Sequence, residues 1–141
     1  MNKETLLKQW QEVKCRLMRG RHGVGVFAVT PIARGEEPLP GDRTGRRWVR
    51  LNRSDYEDNV AIAPSVAEMM KDYHVEEDDG MWVRITERGM IDPAWFVNGG
   101  TTAEANVEWV EHRGGSLMIA VRDIEAGEEL LLDYKDIGKL L

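Results

Sequence analysis

The strongest constraint on the fold lies in residues 117–134, where a short polar turn separates two apolar runs. The first run, residues 117–121, is typical of a buried strand. The second run, residues 130–132, predicts another strand that ends on Asp133 and Tyr134. Rigid scaffolds often present functional groups at strand ends. Taken alone, this stretch has two interpretations: a β-hairpin with a half-buried tyrosine, or a strand that delivers a functional phenol.

The rest of the chain predicts two short helices. In residues 3–12, apolar side chains including Leu6, Leu7 and Trp10 recur at helical spacing. We expect this face to be part of a core or an interface. A second helix opens at Pro64, a residue suited to the first helical position, and runs to about His74.

Several short strands are predicted between these helices and around them. They cover residues 13–18, 26–29, 48–51, 60–63 and 81–85. Irregular segments rich in proline and glycine, such as residues 37–42, connect them. Many short strands with few helices exclude a helix bundle and a doubly wound sheet. The pattern favours one mostly β domain of several small antiparallel sheets.

Composition limits the cellular setting and the class of partner. The single cysteine, Cys15, excludes an internal disulfide framework and a cysteine-cluster zinc site. No apolar run is long enough to span a membrane, and the N-terminus lacks a secretory pattern. We therefore expect an intracellular protein, with cytoplasm and nucleus both open. The net charge of −6 argues against nucleic-acid binding and suits a basic partner, or serves solubility alone.

Two glycine-containing segments are candidates for ligand binding. Gly20, Gly23 and Gly25 fall within six positions, which lets the backbone turn sharply and approach a ligand closely. The third glycine and the helix of a dinucleotide fingerprint are missing. Asn98 precedes two glycines, so its amide is expected to bond either a ligand or its own chain. His22 is interpreted as a solvated turn residue, with catalysis as the alternative.

Other chemistry finds less support in the sequence. The serines lack the setting of a nucleophile elbow, and the three histidines show no metal-ligand spacing. The acidic run at residues 76–79 lacks the spacing of a calcium loop and is predicted to be a solvated turn. It is also a segment that can attract a basic substrate. We therefore predict no metal site.

Three blocks of the chain, in this order, resemble the SET-domain protein lysine methyltransferases. Residues 23–36 are similar to the opening pattern G-x-G-[VL]-F-A…I-x-x-G-E. Residues 95–98 with residues 106–107 resemble the block R-F-I-N-H-S-C-x-P-N. Residues 119–134 are similar to the closing block A-x-R-x-I-x-x-G-E-E-L-x-x-x-Y. The joint order and spacing carry the resemblance.

The resemblance implies a mostly β fold with short helices, the SET-like β-clip fold, in which the last two blocks form a C-terminal pseudoknot. S-adenosyl-L-methionine (AdoMet) would lie on one face, and a substrate lysine would reach it through a narrow channel. The partner would be a basic, lysine-containing protein or peptide, histone-like proteins included. The implied site residues are catalytic Tyr134, cofactor-binding Gly23, Val24, Gly25, Asn98 and Gly99, and channel-lining Leu132 and Trp95.

The length of 141 residues predicts a single domain over residues 1–141, which the resemblance divides further. Residues 1–12 form a helical extension, residues 13–36 and 81–136 carry the family-like blocks, and residues 37–80 form a variable insert. Gly99 replaces a usual histidine, and Leu132 replaces a frequent aromatic. Two alternatives to an enzyme therefore stay open: a catalytically inactive module that binds AdoMet or a basic peptide, and a structural domain that forms a homodimer.

Overall fold

The computed structural model describes residues 2–39, 48–84, 92–112, 115–133 and 135. Three small sheets and a few short helices make up this part of the chain. The elements are α1 (Lys3–Gln11), β1 (Cys15–Gly20), β2 (Gly23–Ala28), β3 (Trp48–Asn52), α2 (Arg53–Tyr56), α3 (Pro64–Tyr73), β4 (Val75–Glu77), β5 (Gly80–Arg84), a 3-10 helix (Pro93–Phe96), β6 (Asn98–Gly100), β7 (Val107–His112), β8 (Gly115–Ala120) and β9 (Leu131–Asp133). The predicted mostly β fold with short helices is confirmed. No helix in the described ranges is long and apolar enough to cross a membrane.

The N-terminal helix α1 contributes no buried side chain. Asn2 caps it by accepting a hydrogen bond from the backbone N–H of Thr5 at 2.9 Å. The predicted helix is thus present, but its apolar face is not core. Leu6 is 40%, Leu7 44% and Trp10 65% exposed.

Strands β1 and β2 form an antiparallel hairpin with Cys15 opposite Ala28 and Gly20 opposite Gly23. Glycine at position 23 is required because its φ of 83° lies in the left-handed region. The predicted strand over residues 13–18 begins two residues later than expected. The face expected to be buried is also more exposed than the alternation predicts, since Val13 is 54% and Leu17 42% exposed.

The middle sheet has the order β3-β5-β4, with both pairs antiparallel. A small second core beneath it contains Tyr56, Ala67 and Met81. The acidic run predicted as a solvated turn instead forms most of β4 and the turn into β5. Its carboxylates pair with two arginines, Arg50 and Arg53. Interstrand pairing and these ion pairs hold a segment whose composition indicated only a loop.

The strand predicted at residues 60–63 is wrong, because the chain turns there. The side chain of Asn59 accepts a hydrogen bond from Ala61 N–H at 3.0 Å, and its carbonyl accepts one from Ile62 N–H at 3.0 Å. An asparagine side chain that bonds to the backbone competes with strand pairing. Val60 consequently points into solvent and is fully exposed.

The third sheet has the order β6-β9-β7-β8 and corrects the hairpin interpretation of residues 117–134. Strand β8 pairs with β7, while β9 lies on the other side of β7. The last strand inserts between β6 and β7, which precede it in the chain, and runs parallel to both. This sheet is therefore mixed rather than antiparallel. The insertion of β9 between β6 and β7 forms the expected C-terminal pseudoknot, called the knot below.

The main core lies between β2 and the third sheet. A half-buried Trp48 from β3 links the middle sheet to the third sheet. Its indole N–H donates to Ser116 Oγ at 2.8 Å, and its ring packs edge-on against Trp109. The twelve buried core members are Val26, Ala28, Ile32, Ala94, Val97, Val107, Trp109, Met118, Ala120, Ile124, Leu130 and Leu132.

Candidate functional site

Asn106 fastens the knot from a buried position and is 2% exposed. Its side-chain amide donates to the Glu129 carbonyl at 2.8 Å and accepts from Leu131 N–H at 2.8 Å. Its backbone N–H donates to the Leu131 carbonyl at 3.0 Å. One asparagine therefore fixes the segment that enters β9 to the segment that enters β7. The sequence showed this residue only as part of a block, and its structural task depends on the tertiary fold.

The opening block lies directly against the closing block. Leu130 N–H donates to the Val26 carbonyl, and Ala28 N–H donates to the Glu128 carbonyl. Ile32 and Ile124 form a further antiparallel bridge. Strand β2, with its glycines, is thus held beside the knot, although more than ninety residues separate the two in sequence.

Asn98 occupies the first position of β6 and reaches across to β2. Its side-chain amide Nδ2 donates to the Val24 carbonyl at 3.2 Å. A β-carbon at Gly25 would lie 3.1 Å from that nitrogen. The structure therefore brings together the predicted cofactor-binding residues Val24, Gly25 and Asn98. Gly23 forms the adjacent end of the hairpin, and a β-carbon there would meet nothing within 4 Å.

Glu129 is the group at this site that the sequence analysis missed. A β-carbon would lie 2.5 Å from its Oε1 if placed at Gly25 and 3.0 Å if placed at Gly20. Oε1 is buried and has no hydrogen-bond partner among the described residues. The sequence analysis contained this residue only as the second glutamate of the closing block, directly before the buried Leu130.

The two residues predicted to line a channel lie in different surroundings. Leu132 is 5% exposed in the main core, opposite Gly99 in β6 and Val107 in β7. Trp95 is half-buried in the 3-10 helix, with its ring 4.7 Å from that of His74 and 5.6 Å from that of Tyr73. Its indole nitrogen is buried without a hydrogen-bond partner in the described part of the chain.

The predicted catalytic residue, Tyr134, lies outside the described residues. The residue before it, Asp133, ends β9 and is 8% exposed. Its carboxylate accepts a hydrogen bond from Thr102 Oγ1 at 2.6 Å and one from Lys135 N–H at 3.0 Å. The end of β9 is therefore anchored on both sides of position 134.

An ion pair joins the β1–β2 hairpin to the segment after β6. Arg21 Nη2 lies 2.7 Å from Glu104 Oε2, and Glu104 also accepts from the Thr101 hydroxyl at 3.0 Å. The Arg21 guanidinium, helped by hydrogen bonds from Thr101, lowers the pKa of Glu104 to about 2. The carboxylate is therefore ionised across the physiological range and holds the hairpin tip over this region. Neighbouring His22 accepts from Arg21 Nε at 3.2 Å and is exposed in the turn.

Two other kinds of chemistry find no support at this site. In residues 2–39, 48–84, 92–112, 115–133 and 135, no group of three or more acidic, histidine or cysteine side chains could hold a metal ion. Burial raises the pKa of the Cys15 thiol to about 11. A thiol with that pKa is not a thiolate at neutral pH, so it is a poor nucleophile.

Comparison of the sequence with profiles of known protein families gives a match over most of the chain. The SET-domain profile matches residues 23–135, which include β2, the knot and the anchored end of β9. Comparison with curated proteins gives no match.

Two solved structures illustrate the shared fold. The methyltransferase domain of human PR domain-containing protein 2 is 21% identical, with a TM-score of 0.52 over 84% of this chain and 74% of that one. A humanized mutant of the Chaetomium thermophilum Polycomb Repressive Complex 2 is 20% identical, with a TM-score of 0.54 over 88% of this chain and 15% of that one. At these identities the likeness concerns the fold.

Proposed function

Because the chain belongs to the SET-domain family, we propose that it is a protein-lysine N-methyltransferase that uses AdoMet. The observation that carries the proposal is the convergence of three groups where β2 meets the knot. These are the Asn98 amide, the backbone at Gly25 and the Glu129 carboxylate. They belong to three segments that are far apart in sequence, so the fold itself assembles this polar corner.

These residues fit the proposed cofactor. A glycine backbone without β-carbons allows close approach of a ligand, and the Asn98 amide offers both a donor and an acceptor. Glu129 Oε1, which has no hydrogen-bond partner within the described ranges, suits the positive charges of AdoMet. When bound, AdoMet supplies a methyl group activated by its sulfonium. The residues expected to hold it are Gly23, Val24, Gly25, Asn98 and Gly99.

Methyl transfer to an amine is an in-line displacement, so positioning of the two reactants dominates its rate. The attacking lysine must be neutral, and at pH 7 the neutral amine costs about 4–5 kcal/mol relative to a reference pKa near 10.4. A dry channel lowers that cost because burial disfavours the charged amine. We assign this exclusion of water to Leu132 and Trp95. The Tyr134 phenol would orient the amine through a hydrogen bond.

We propose a basic, lysine-containing protein or peptide as the substrate, histone-like proteins included. The net charge of −6 supports this choice. The acidic residues near β4 contribute less than their number suggests, since several already pair with Arg50 and Arg53.

The first test is calorimetric titration of the protein with AdoMet. We expect binding that Asn98→Ala weakens about tenfold, because the variant loses hydrogen bonds at the ligand. Asn59→Ala is the matched control, since the Asn59 side chain bonds to the nearby backbone of Asp55 and Ala61. No binding by the wild-type protein, or equal binding by all three proteins, would contradict the assigned cofactor site.

The second test separates an enzyme from an inactive module. With radiolabelled AdoMet and a lysine-rich protein substrate, Tyr134→Phe should abolish methyl transfer while AdoMet affinity is retained. Tyr56→Phe removes the same atom from the second core and should leave turnover in place. Undiminished turnover in the Tyr134 variant would refute its role. AdoMet binding without any methyl transfer by the wild-type protein would instead identify an inactive binding module.

A further inference from the structure

Glu129 is held in place by backbone contacts from three directions. Its residue forms an antiparallel bridge with Phe27 of β2. Its carbonyl accepts the Asn106 amide at 2.8 Å. The next residue, Leu130, donates to the Val26 carbonyl and is completely buried. The backbone from which this carboxylate projects is therefore fixed by contacts with β2 and with Asn106.

The hairpin opposite carries glycines where the carboxylate approaches it. A β-carbon at Gly25 would lie 2.5 Å from Glu129 Oε1, and one at Gly20 would lie 3.0 Å from the same oxygen and 2.5 Å from the ring of Phe27. Gly25 does not have a left-handed φ. Glycine there is consequently explained by close approach to Glu129 rather than by backbone conformation.

One oxygen of the carboxylate, Oε1, has no hydrogen-bond partner among the residues that the structure describes. This oxygen is buried, and burial without a hydrogen bond is unfavourable for a polar group. The arginines on the adjoining turns are engaged elsewhere. Arg21 pairs with Glu104, and Arg122 pairs with Glu128 at 3.1 Å. The Glu129 carboxylate lies beside the Asn98 amide with Oε1 unpaired among the described residues, so it is suited to a cation that arrives with the ligand.

We propose that Glu129 is a cofactor-binding residue whose carboxylate neutralises the positive charge of bound AdoMet. The inference rests on the proposed function and adds a recognition element to its site. AdoMet carries two cationic groups, an α-ammonium and a sulfonium, and either satisfies the same chemistry. The glycines at 20 and 25 then have a role at the site, because they let the carboxylate reach this position.

Calorimetry on single variants tests the assignment. Glu129→Gln keeps the shape of the side chain and removes its charge, and we expect AdoMet binding to weaken about tenfold or more. Glu128→Gln is the matched control on the adjacent residue, since Glu128 pairs with exposed Arg122. The AdoMet affinity of this variant should match that of the wild type. Thermal unfolding of each variant establishes that the fold is retained. Equal AdoMet affinity of Glu129→Gln and the wild type would overturn the proposal.

Two further arms identify the recognised charge. S-adenosylhomocysteine keeps the ammonium but has a neutral thioether. An equal loss of affinity for both ligands in Glu129→Gln assigns the carboxylate to the ammonium, and a loss confined to AdoMet assigns it to the sulfonium. Glu129→Asp keeps the charge, so we expect it to retain part of the affinity that Glu129→Gln loses. Equal losses in the Asp and Gln variants would show that recognition requires both the charge and the length of the glutamate side chain.

The outcomes separate this inference from the proposed function. If the wild-type protein fails to bind AdoMet, both fall together. If the wild type binds AdoMet, Asn98→Ala weakens binding and Glu129→Gln does not, the cofactor site stands and the role of Glu129 is refuted.

Discussion

At the scale of single residues, the site is surrounded by side chains whose partners come from distant segments. Asn98 bonds to Val24 across 74 positions, and Arg21 pairs with Glu104 across 83. The Arg21–Glu104 pair is exposed, so its contribution to stability is small and sensitive to salt. The pair matters because of its position, since it connects the tip of the β1–β2 hairpin to the segment after β6, beside the candidate site.

The depressed pKa of Glu104 gives this contact a defined pH dependence. A carboxyl whose folded pKa is about 2, below its ordinary value of 4.5, stabilises the fold above pH 4.5 and loses that contribution as the pH falls toward 2. Glu104→Gln should therefore be less stable than the wild type near neutral pH, and the difference should shrink between pH 4.5 and 2. Urea unfolding of both proteins across that range measures it. A difference independent of pH would exclude the ion pair as its cause.

At the scale of secondary-structure elements, α1 differs from α3, the other described helix of eight residues or more. Helix α1 buries no side chain, whereas α3 buries Ala67. A nine-residue helix is marginally stable by itself in water. Its apolar face, with Trp10 65% exposed, agrees with the sequence-based alternative that this helix forms a homodimer contact.

We expect Trp10→Lys to change the free energy of unfolding by less than about 0.5 kcal/mol, since the substituted side chain lies outside the core. Sedimentation over a range of concentrations tests the dimer directly. If α1 mediates a dimer, the wild type dissociates on dilution, and Trp10→Lys is monomeric throughout. Gln11→Lys, which adds the same charge to another exposed position of α1, serves as the control. A monomeric wild type would end the dimer hypothesis.

At the scale of the whole molecule, the insertion of β9 between β6 and β7 joins the closing family-like block to the block that precedes it in the chain. Stability should therefore depend strongly on the buried amide that fastens this threading. Asn106→Ala removes two side-chain hydrogen bonds of 2.8 Å and leaves Leu131 N–H and the Glu129 carbonyl without them. We expect a loss of about 2–4 kcal/mol in the free energy of unfolding.

Urea unfolding of Asn106→Ala measures this loss, with Asn59→Ala as the comparison at an exposed turn. A loss no larger than that of Asn59→Ala would mean that the knot does not depend on the Asn106 amide. Because the amide also fixes the segment of Glu129, AdoMet binding should weaken in parallel with stability in this variant.

The sequence by itself determined the elements whose signals are local. Apolar periodicity located α1 and α3, and Pro64 gave the start of α3, because a proline at the first helical position lacks only a hydrogen bond that the helix would not make. Asp92 before Pro93 is a local signal of the same kind for the 3-10 helix, since the Asp92 side chain accepts a hydrogen bond from Ala94 N–H at 2.9 Å. The order of the three blocks was enough to indicate the family.

Only the tertiary structure decided how distant segments pair. Residues 117–134 contain two strands in either interpretation, but interstrand pairing placed β9 against β6 and β7 instead of against β8. The first half of the acidic run, Glu76 and Glu77, became part of a strand because a neighbouring strand and two arginines were available to pair with it. Glu129 gave little signal for the same reason. Its carboxylate lies close to the glycines of a hairpin about a hundred residues earlier. A close approach of that kind is a property of packing rather than of local sequence.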